Sequence, residues 1–264
     1  MQGVEILANI ITKKENGICY VTINREKTLN TFDYQTLCEL GDVVEEIHLD
    51  SDVQVVIFTG AGEKAFSAGA DLKERKTLTP NEVRRNVKAI VDVFNAVAAL
   101  PQPTIAAVNG YAFGGGFELV LACDLALAAK NSQFGLTETS WAIIPGAGGT
   151  QRLPRLVGAM RAKELILTAR RFNADEAKEL GVVLDVVEQE RLMDACKELA
   201  SRMTRNGPVA IRQAKFAINE GMNTDLETGI KIESKAYELT IDTEDRLEAL
   251  AAFAEKREPE FKGK

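Results

Sequence analysis

Two glutamates and two runs of small residues are the parts of this chain whose types and spacing could do chemistry. Glu118 ends NGYAFGGGFE (109–118), where Gly114, Gly115 and Gly116 lead from a strand-like run straight into an apolar helical pattern. Three glycines at a helix start cost conformational entropy, and what they can provide is bare backbone N–H groups where the helix dipole favours negative charge. The run lacks the Lys-Ser/Thr of a phosphate loop and the GxGxxG spacing of a dinucleotide site, so a developing oxyanion suits it better than a phosphate. Glu118 itself could equally cap the helix or compensate its dipole. Glu138, in FGLTETSWAIIPGAGGTQRLPR (134–155), lies among small and apolar residues ahead of a Pro-Gly-rich loop. A carboxyl group held there would be desolvated and could keep a proton near neutrality, as a general acid must. In AFSAGADLKE (65–74), small residues surround Gly69, which suits either close approach of backbone to a ligand or a tight strand-to-helix connection.

Carboxylates matter because imidazole is scarce. His48, in the acidic helical stretch EEIHLD, is the single histidine of the chain. That removes Ser-His-Asp and Cys-His catalysis, H-E-x-x-H zinc sites and histidine proton shuttles. His48 is expected to be an exposed or partly packed helix residue. Cys19, Cys38, Cys123 and Cys196 are scattered among apolar neighbours with no C-x-x-C pair, so they are expected as buried, reduced packing residues and not as disulfides or metal ligands. A net charge of −7 opposes broad nucleic-acid binding, which needs Lys and Arg to neutralise phosphates. No apolar run reaches the ~20 residues of a membrane span. The start MQGVEILANIITKKENG reads as neither a secretory signal nor a transit peptide, so a cytoplasmic location is expected.

The elements that must position the glutamates follow from hydrophobic pattern. Strand-like runs recur at ICYVTINR (18–25), VQVVIFTG (53–60), TIAAVNG (104–110), LALAA (125–129) and VVLDVV (182–187). Between them, Leu37, Leu40, Val43, Val44 and Ile47 mark one face of a helix from Tyr34 to Ile47, and Val83 to Leu100 repeats that logic. Alternation of this kind predicts an α/β core with largely parallel strands. From about Gln189 onward helical sequence takes over, with Pro208 opening one helix and Gly221 ending it.

AFSAGADLKE, GYAFGGGFE, FGLTE and IIPGAGGTQRLPR, in this order and spacing, resemble the signature of the crotonase family, and the resemblance extends over nearly the whole chain. It implies a spiral core of repeated ββα units and a C-terminal α-helical trimerisation region. We divide the chain accordingly into a core carrying the active site, residues 1–195, and a helical oligomerisation region, residues 196–264. It also implies a homo-oligomer, a trimer or a dimer of trimers. By the same resemblance the backbone N–H groups of Ala70 and Gly115 form an oxyanion hole, and Glu118 and Glu138 are the two catalytic carboxylates of the hydratase branch. Members with other reactions commonly keep the hole and replace one or both acids.

The substrate implied is a trans-2-enoyl-CoA thioester, hydrated to a 3-hydroxyacyl-CoA, with no metal and no cofactor beyond the coenzyme A that the substrate carries. Coenzyme A would lie along the backbone from Ala68 through Ala70 and Asp71 to Leu72. Lys27 and Lys73 would meet it, as would Phe253 and Lys256 from the C-terminal helix of another subunit. ADLKERKTLTP and DRLEALAAFAEKREPEFKGK are similar to methylglutaconyl-CoA hydratases, which suggests a branched, acidic acyl group as an alternative. A Δ3,Δ2-enoyl-CoA isomerase fits two glutamates less well. Some relatives bind RNA through lysines on the first long helix. Here no Lys or Arg stands between Lys27 and Lys64, while Asp33, Glu39, Asp42, Glu45, Glu46, Asp50 and Asp52 fill that stretch and would repel phosphate. Phe117 and Trp141 are expected to pack in the core in preference to lining the acyl site.

Overall fold

A computed structural model of the chain describes residues 3–264. It opens with an antiparallel meander of β1 (Gly3–Ile6), β2 (Ile10–Glu15) and β3 (Ile18–Ile23). Helix α1 (Tyr34–Leu49) follows. Asp33 starts it by accepting a hydrogen bond from the Thr36 N–H, and the buried stripe is the one read from spacing: Leu37, Leu40, Val43, Val44 and Ile47.

From there one unit repeats, in which a strand joins the first sheet, a three-residue strand joins a second sheet, and helix closes the turn. The first turn is β4 (Val55–Gly60), β5 (Ala65–Ser67), α2 (Leu72–Arg75) and α3 (Pro80–Ala99). Thr79 and Glu82 form a capping box at the start of α3, with Pro80 at its first position. The second turn is β6 (Thr104–Val108), β7 (Tyr111–Phe113) and α4 (Gly115–Ala122). The third is β8 (Leu125–Ala129), β9 (Gln133–Gly135), α5 (Gly149–Val157) and α6 (Ala159–Leu167). β10 (Phe172–Asn173) then returns to the second sheet, and β11 (Asp185–Val187), after α7 (Ala174–Glu179), to the first. The sheet orders are β1-β2-β3-β4-β6-β8-β11 and β10-β9-β7-β5, with β3 through β11 parallel in the first and β5, β7 and β9 parallel in the second.

The first sheet is covered on both faces, which is why its parallel strands read as nearly continuous apolar runs. Val21, Ile23, Val56, Phe58, Ala106 and Val108 join the main core with Leu40, Phe94 and Phe117. Ile18, Val55, Ile57, Ile105, Ala107 and Leu127 form a second cluster with Leu192, Cys196 and Ala200 of α8 (Leu192–Thr204). Residue 195, where the sequence divides into core and tail, lies inside α8.

Beyond it run α9 (Pro208–Gly221), α10 (Leu226–Ile241) and α11 (Glu244–Glu255). Pro208 opens α9 and Gly221 closes it, as read from sequence. Lys215 ties α9 to the core, its Nζ lying 2.7 Å from Asp124 Oδ2 and 3.0 Å from Gln102 O. Apart from that tether, α9 buries no residue and α10 buries Ala236 alone, leaving Phe216, Ile218, Met222, Leu226, Ile230 and Tyr237 exposed. No helix of the described residues is long and apolar enough to cross a membrane.

Two expectations need correction. In VVLDVV (182–187) Val182 and Val183 are buried but not in a strand, because the backbone N–H groups of both turn back to Ala177 O and leave three residues to pair with β8. Cys38 is exposed, on the solvent side of α1; Cys19 and Cys196 are buried as expected, and all four thiols are free.

Candidate active site

Glu118 lies in the first turn of α4, with its side chain turned inward and buried. Its Oε1 accepts hydrogen bonds from the Ala147 N–H at 2.7 Å, in the loop that leads into α5, and from the N–H of Gly149, the first residue of α5, at 2.8 Å. A Cβ on Gly149 would stand 3.0 Å from that same oxygen, so glycine is what lets the loop come this close. Arg152 braces the loop, donating to Ala147 O at 3.0 Å and to Asn95 Oδ1 at 2.7 Å. Burial raises the Glu118 carboxyl above its usual range, against the pull of the two N–H groups and the Arg152 charge.

Glu138 opens a single 3-10 turn (Glu138–Trp141) just past β9. Its Oε2 is buried and has no hydrogen-bond partner among the described residues. Such an oxygen calls for a water or a ligand group. The carboxyl is pushed up to about 7, first by burial and then by the negative charge of Glu118. Two carboxylates therefore share one site on unequal terms, one held by two N–H donors from a neighbouring loop and the other with its Oε2 unpartnered.

The raised Glu138 carboxyl carries a stability cost whose sign can be worked out. The unfolded chain loses this proton near pH 4.5 and the folded chain near 7, so between those values the folded state holds the extra proton. Stability then declines as pH rises through that window, and above it the penalty is complete. Glu138→Gln is expected to be more stable than wild type at pH 8 by on the order of 1–3 kcal/mol, with the difference vanishing at pH 4. Urea melts of both proteins at the two pH values check this; a variant less stable at pH 8 would overturn it.

Each of the three glycines has its own reason. Gly114 has φ +50, and a Cβ there would lie 3.1 Å from Glu138 Oε1. A Cβ on Gly115 would meet Ile90 Cδ1 at 3.0 Å, and one on Gly116 would stand 2.0 Å from Ser67 O. Gly69 has φ +89 and no space either, since its Cβ would come 2.7 Å from Phe113 O and 3.0 Å from the Gly115 nitrogen. The small residues around Gly69 thus permit backbone to pack on backbone, which brings the Ala70 segment against the start of α4.

That contact leaves two donors free. Phe32 donates its N–H to Gly69 O at 2.8 Å and accepts from the Asp71 N–H at 2.9 Å, so the intervening Ala70 N–H points to the other side. Gly115 is the first residue of α4 and has no helical acceptor for its N–H. Among the described residues, neither the Ala70 nor the Gly115 N–H donates to a protein acceptor.

The model for "Enoyl-CoA hydratase/isomerase" matches residues 13–264. This chain belongs to the enoyl-CoA hydratase/isomerase family. It is 47% identical over 254 residues to the short-chain-enoyl-CoA hydratase of Clostridium acetobutylicum, covering 96% of this chain and 97% of that one. It is 46% identical over 263 residues to the mitochondrial methylglutaconyl-CoA hydratase of Mus musculus, covering 98% of this chain and 84% of that one. The crystal structure of an enoyl-CoA hydratase from Bacillus anthracis superposes with a TM-score of 0.93 at 49% identity, over 100% of this chain and 99% of that one.

Within this family fold, the other residues singled out in sequence fall in three places. Along 68–72, the Ala68 N–H is taken by Leu29 O and the Asp71 N–H by Phe32 O, Ala70 keeps its own free, and Leu72 is exposed. The Asp71 carboxylate caps α2 and pairs with Arg25, so its side chain is already engaged. Burial opposes ionisation of Asp71, but the Glu74 N–H and the Arg25 guanidinium outweigh it and hold the carboxyl below its usual range. Lys27 and Lys73 are exposed, as are Phe253 and Lys256 at the far end of α11, and the contacts that hold Glu118 and Glu138 include none of these four. Phe117 packs edge-on to Phe134 and Phe172 in the core, at 5.5 and 5.7 Å between ring centroids. Trp141 does not share that fate: it is 63% exposed, beside exposed Ile143 and Ile144, because the 3-10 turn carries it outward. His48 is exposed on α1, as expected, beside exposed Glu45 and Glu46. Sequence reasoning missed Arg152 and the Ala147 and Gly149 amides; the GAGG run was the one signal for a close backbone approach.

Proposed function

We propose that this chain is an enoyl-CoA hydratase, adding water across the double bond of a trans-2-enoyl-CoA to give a 3-hydroxyacyl-CoA. The observation that carries the reading is a buried glutamate and a half-buried one with unequal support, beside two unclaimed backbone N–H groups.

The thioester carbonyl draws electrons from the conjugated alkene, so water attacking the β-carbon drives negative charge onto the thioester oxygen. The Ala70 and Gly115 N–H groups receive that charge; losing one donor of this kind costs ~10²–10³ in rate. Glu118, held as a carboxylate acceptor by Ala147 and Gly149, takes a proton from the water as its oxygen bonds to the β-carbon. Glu138, which keeps a proton near neutrality, delivers it to the α-carbon. The pair exchanges protons with solvent to reset, and titrates as a coupled unit. Coenzyme A arrives with the substrate, so no separate cofactor or metal enters.

An isomerase moves one proton between two carbons and needs a single acid–base group. The two N–H groups dedicated to Glu118 favour hydration. The exposed apolar side chains of α9 to α11 support a homo-oligomer, a trimer or a dimer of trimers, in which Phe253 and Lys256 reach a neighbour's coenzyme A while Lys27 and Lys73 serve their own. The acidic surface of α1 argues against RNA as a partner, and the working location is cytoplasmic.

The test is loss of the conjugated thioester's ultraviolet absorbance when the protein meets crotonyl-CoA, with 3-methylglutaconyl-CoA alongside. Loss with either supports a hydratase, and the ratio of kcat/KM values says which acyl group fits. No loss with either, together with absorbance gained from a 3-enoyl-CoA, would replace this reading with the isomerase.

A further inference from the structure

Arg25 takes no part in this chemistry, yet the polar contacts around the Ala70 amide lead back to it. Its Nη2 lies 2.8 Å from Asp33 Oδ2 and 3.0 Å from Asp71 Oδ2. Nη1 donates to Thr31 O at 2.5 Å, and the Arg25 backbone N–H donates to Asn30 Oδ1 at 3.0 Å. The guanidinium is sequestered, with the side chain 15% exposed.

The segment it grips is strained. Leu29 and Asn30 both have φ 55, two successive non-glycine residues in the left-handed region. Such conformations persist where the surroundings over-determine them, and they cluster at functional sites. Buried Asn30 adds to that constraint by donating to Ala61 O at 3.0 Å and Ala65 O at 2.7 Å. This segment in turn holds the neighbours of Ala70: Ala68 donates to Leu29 O, Phe32 donates to Gly69 O, and Asp71 donates to Phe32 O.

We infer that Arg25 is a positioning residue for the reaction, aiming the Ala70 N–H at the thioester oxygen and neutralising the Asp71 carboxylate one residue away. The inference rests on Ala70 as an oxyanion donor, as proposed above. An unpaired carboxylate beside the donor would oppose charge building on the thioester oxygen. Both effects of Arg25 grow with that charge, so they act on the transition state more than on the bound substrate.

Crotonyl-CoA hydration by the full chain tests this with Arg25→Met, Arg25→Lys, Asp71→Asn and the Arg25→Met/Asp71→Asn pair. In Arg25→Met kcat is expected to fall roughly 30-fold or more while KM moves less than about threefold, a split that general loosening of the fold would not give. Adding Asp71→Asn to it should restore about tenfold, because Asn still caps α2 but carries no charge. Arg25→Lys, which keeps the charge and loses the planar fork, should fall between wild type and Arg25→Met. A folded Arg25→Met with kcat within about threefold of wild type, a loss confined to KM, or a double variant no faster than Arg25→Met would overturn the inference. Should Arg25→Met fail to fold, Arg25→Lys decides: lowered kcat at unchanged Tm supports positioning, and unchanged kcat overturns it. Wild type inactive on every enoyl-CoA strikes down the hydratase reading and this inference with it; active wild type with unaffected variants strikes down this inference alone.

Discussion

Glu118→Gln and Glu138→Gln are each expected to lower kcat for hydration by ~10²–10⁴ while leaving the fold intact, because general acid–base groups contribute at that level. The two losses should not multiply. Water cannot lose one proton and the α-carbon gain another in concert unless both carboxyls are in place, so the double variant should sit near the worse single one. Folding should survive for different reasons. In Glu118→Gln the amide oxygen can still accept from Ala147 and Gly149, and in Glu138→Gln the carboxyl oxygen that is lost, Oε2, has no protein partner. Steady-state rates with crotonyl-CoA, beside circular dichroism, make the measurement. Near-normal turnover in both single variants would remove the carboxylate pair from the mechanism.

Gly116→Ala should do the opposite damage, unfolding the site without touching an ionisable group. Alanine would stabilise an exposed helix position by about 1 kcal/mol over glycine. Here its Cβ would stand 2.0 Å from Ser67 O, a backbone atom that cannot swing away as a side chain would. Separating α4 from β5 by more than an ångström is an overpacking cost of ~3 kcal/mol or more, which outweighs the propensity gain. For a chain of this size that is a Tm lower by roughly 5–10 °C. Gly146→Ala is the control, since its Cβ would meet nothing nearer than 3.8 Å. Equal melting of the two variants would show that the approach of α4 to β5 is looser than described.

The contrast between these variants marks what could be read in advance. Four of the five strand-like runs were legible because parallel strands covered on both faces must be apolar throughout, and α1 because its buried face recurs at helical spacing; the fifth, 182–187, read longer than the three-residue strand it holds. The second sheet was not legible: β5, β7 and β9 are three residues each, too short to show a period. β2 was obscured for another reason, since exposed Lys13 and half-buried Lys14, which pairs with Asp50, break its apolar alternation. At the site, Glu118 and Glu138 could be singled out as candidates from residue type and surroundings, while their pairing as catalytic groups came from the family resemblance. Their partners could not, because Ala147 and Gly149 contribute amides, and an amide has no signature in sequence. Arg25 was invisible for want of any local pattern, its partner Asp71 standing 46 residues away.

The repeating strand–strand–helix unit has a consequence for how the chain acquires activity as it folds. The Ala70 amide comes from the first turn of the spiral, Gly115 and Glu118 from the second, and Glu138 with the Ala147–Gly149 loop from the third. No single turn, nor any two, contains both of the proposed proton-transfer groups and both of the proposed donors. A nascent or refolding chain can therefore be largely helical and partly sheeted while still inert, until all three turns are seated on one another. Parallel pairing between successive turns is non-local and slow to form, so secondary structure is expected to appear before activity when refolding is followed by both.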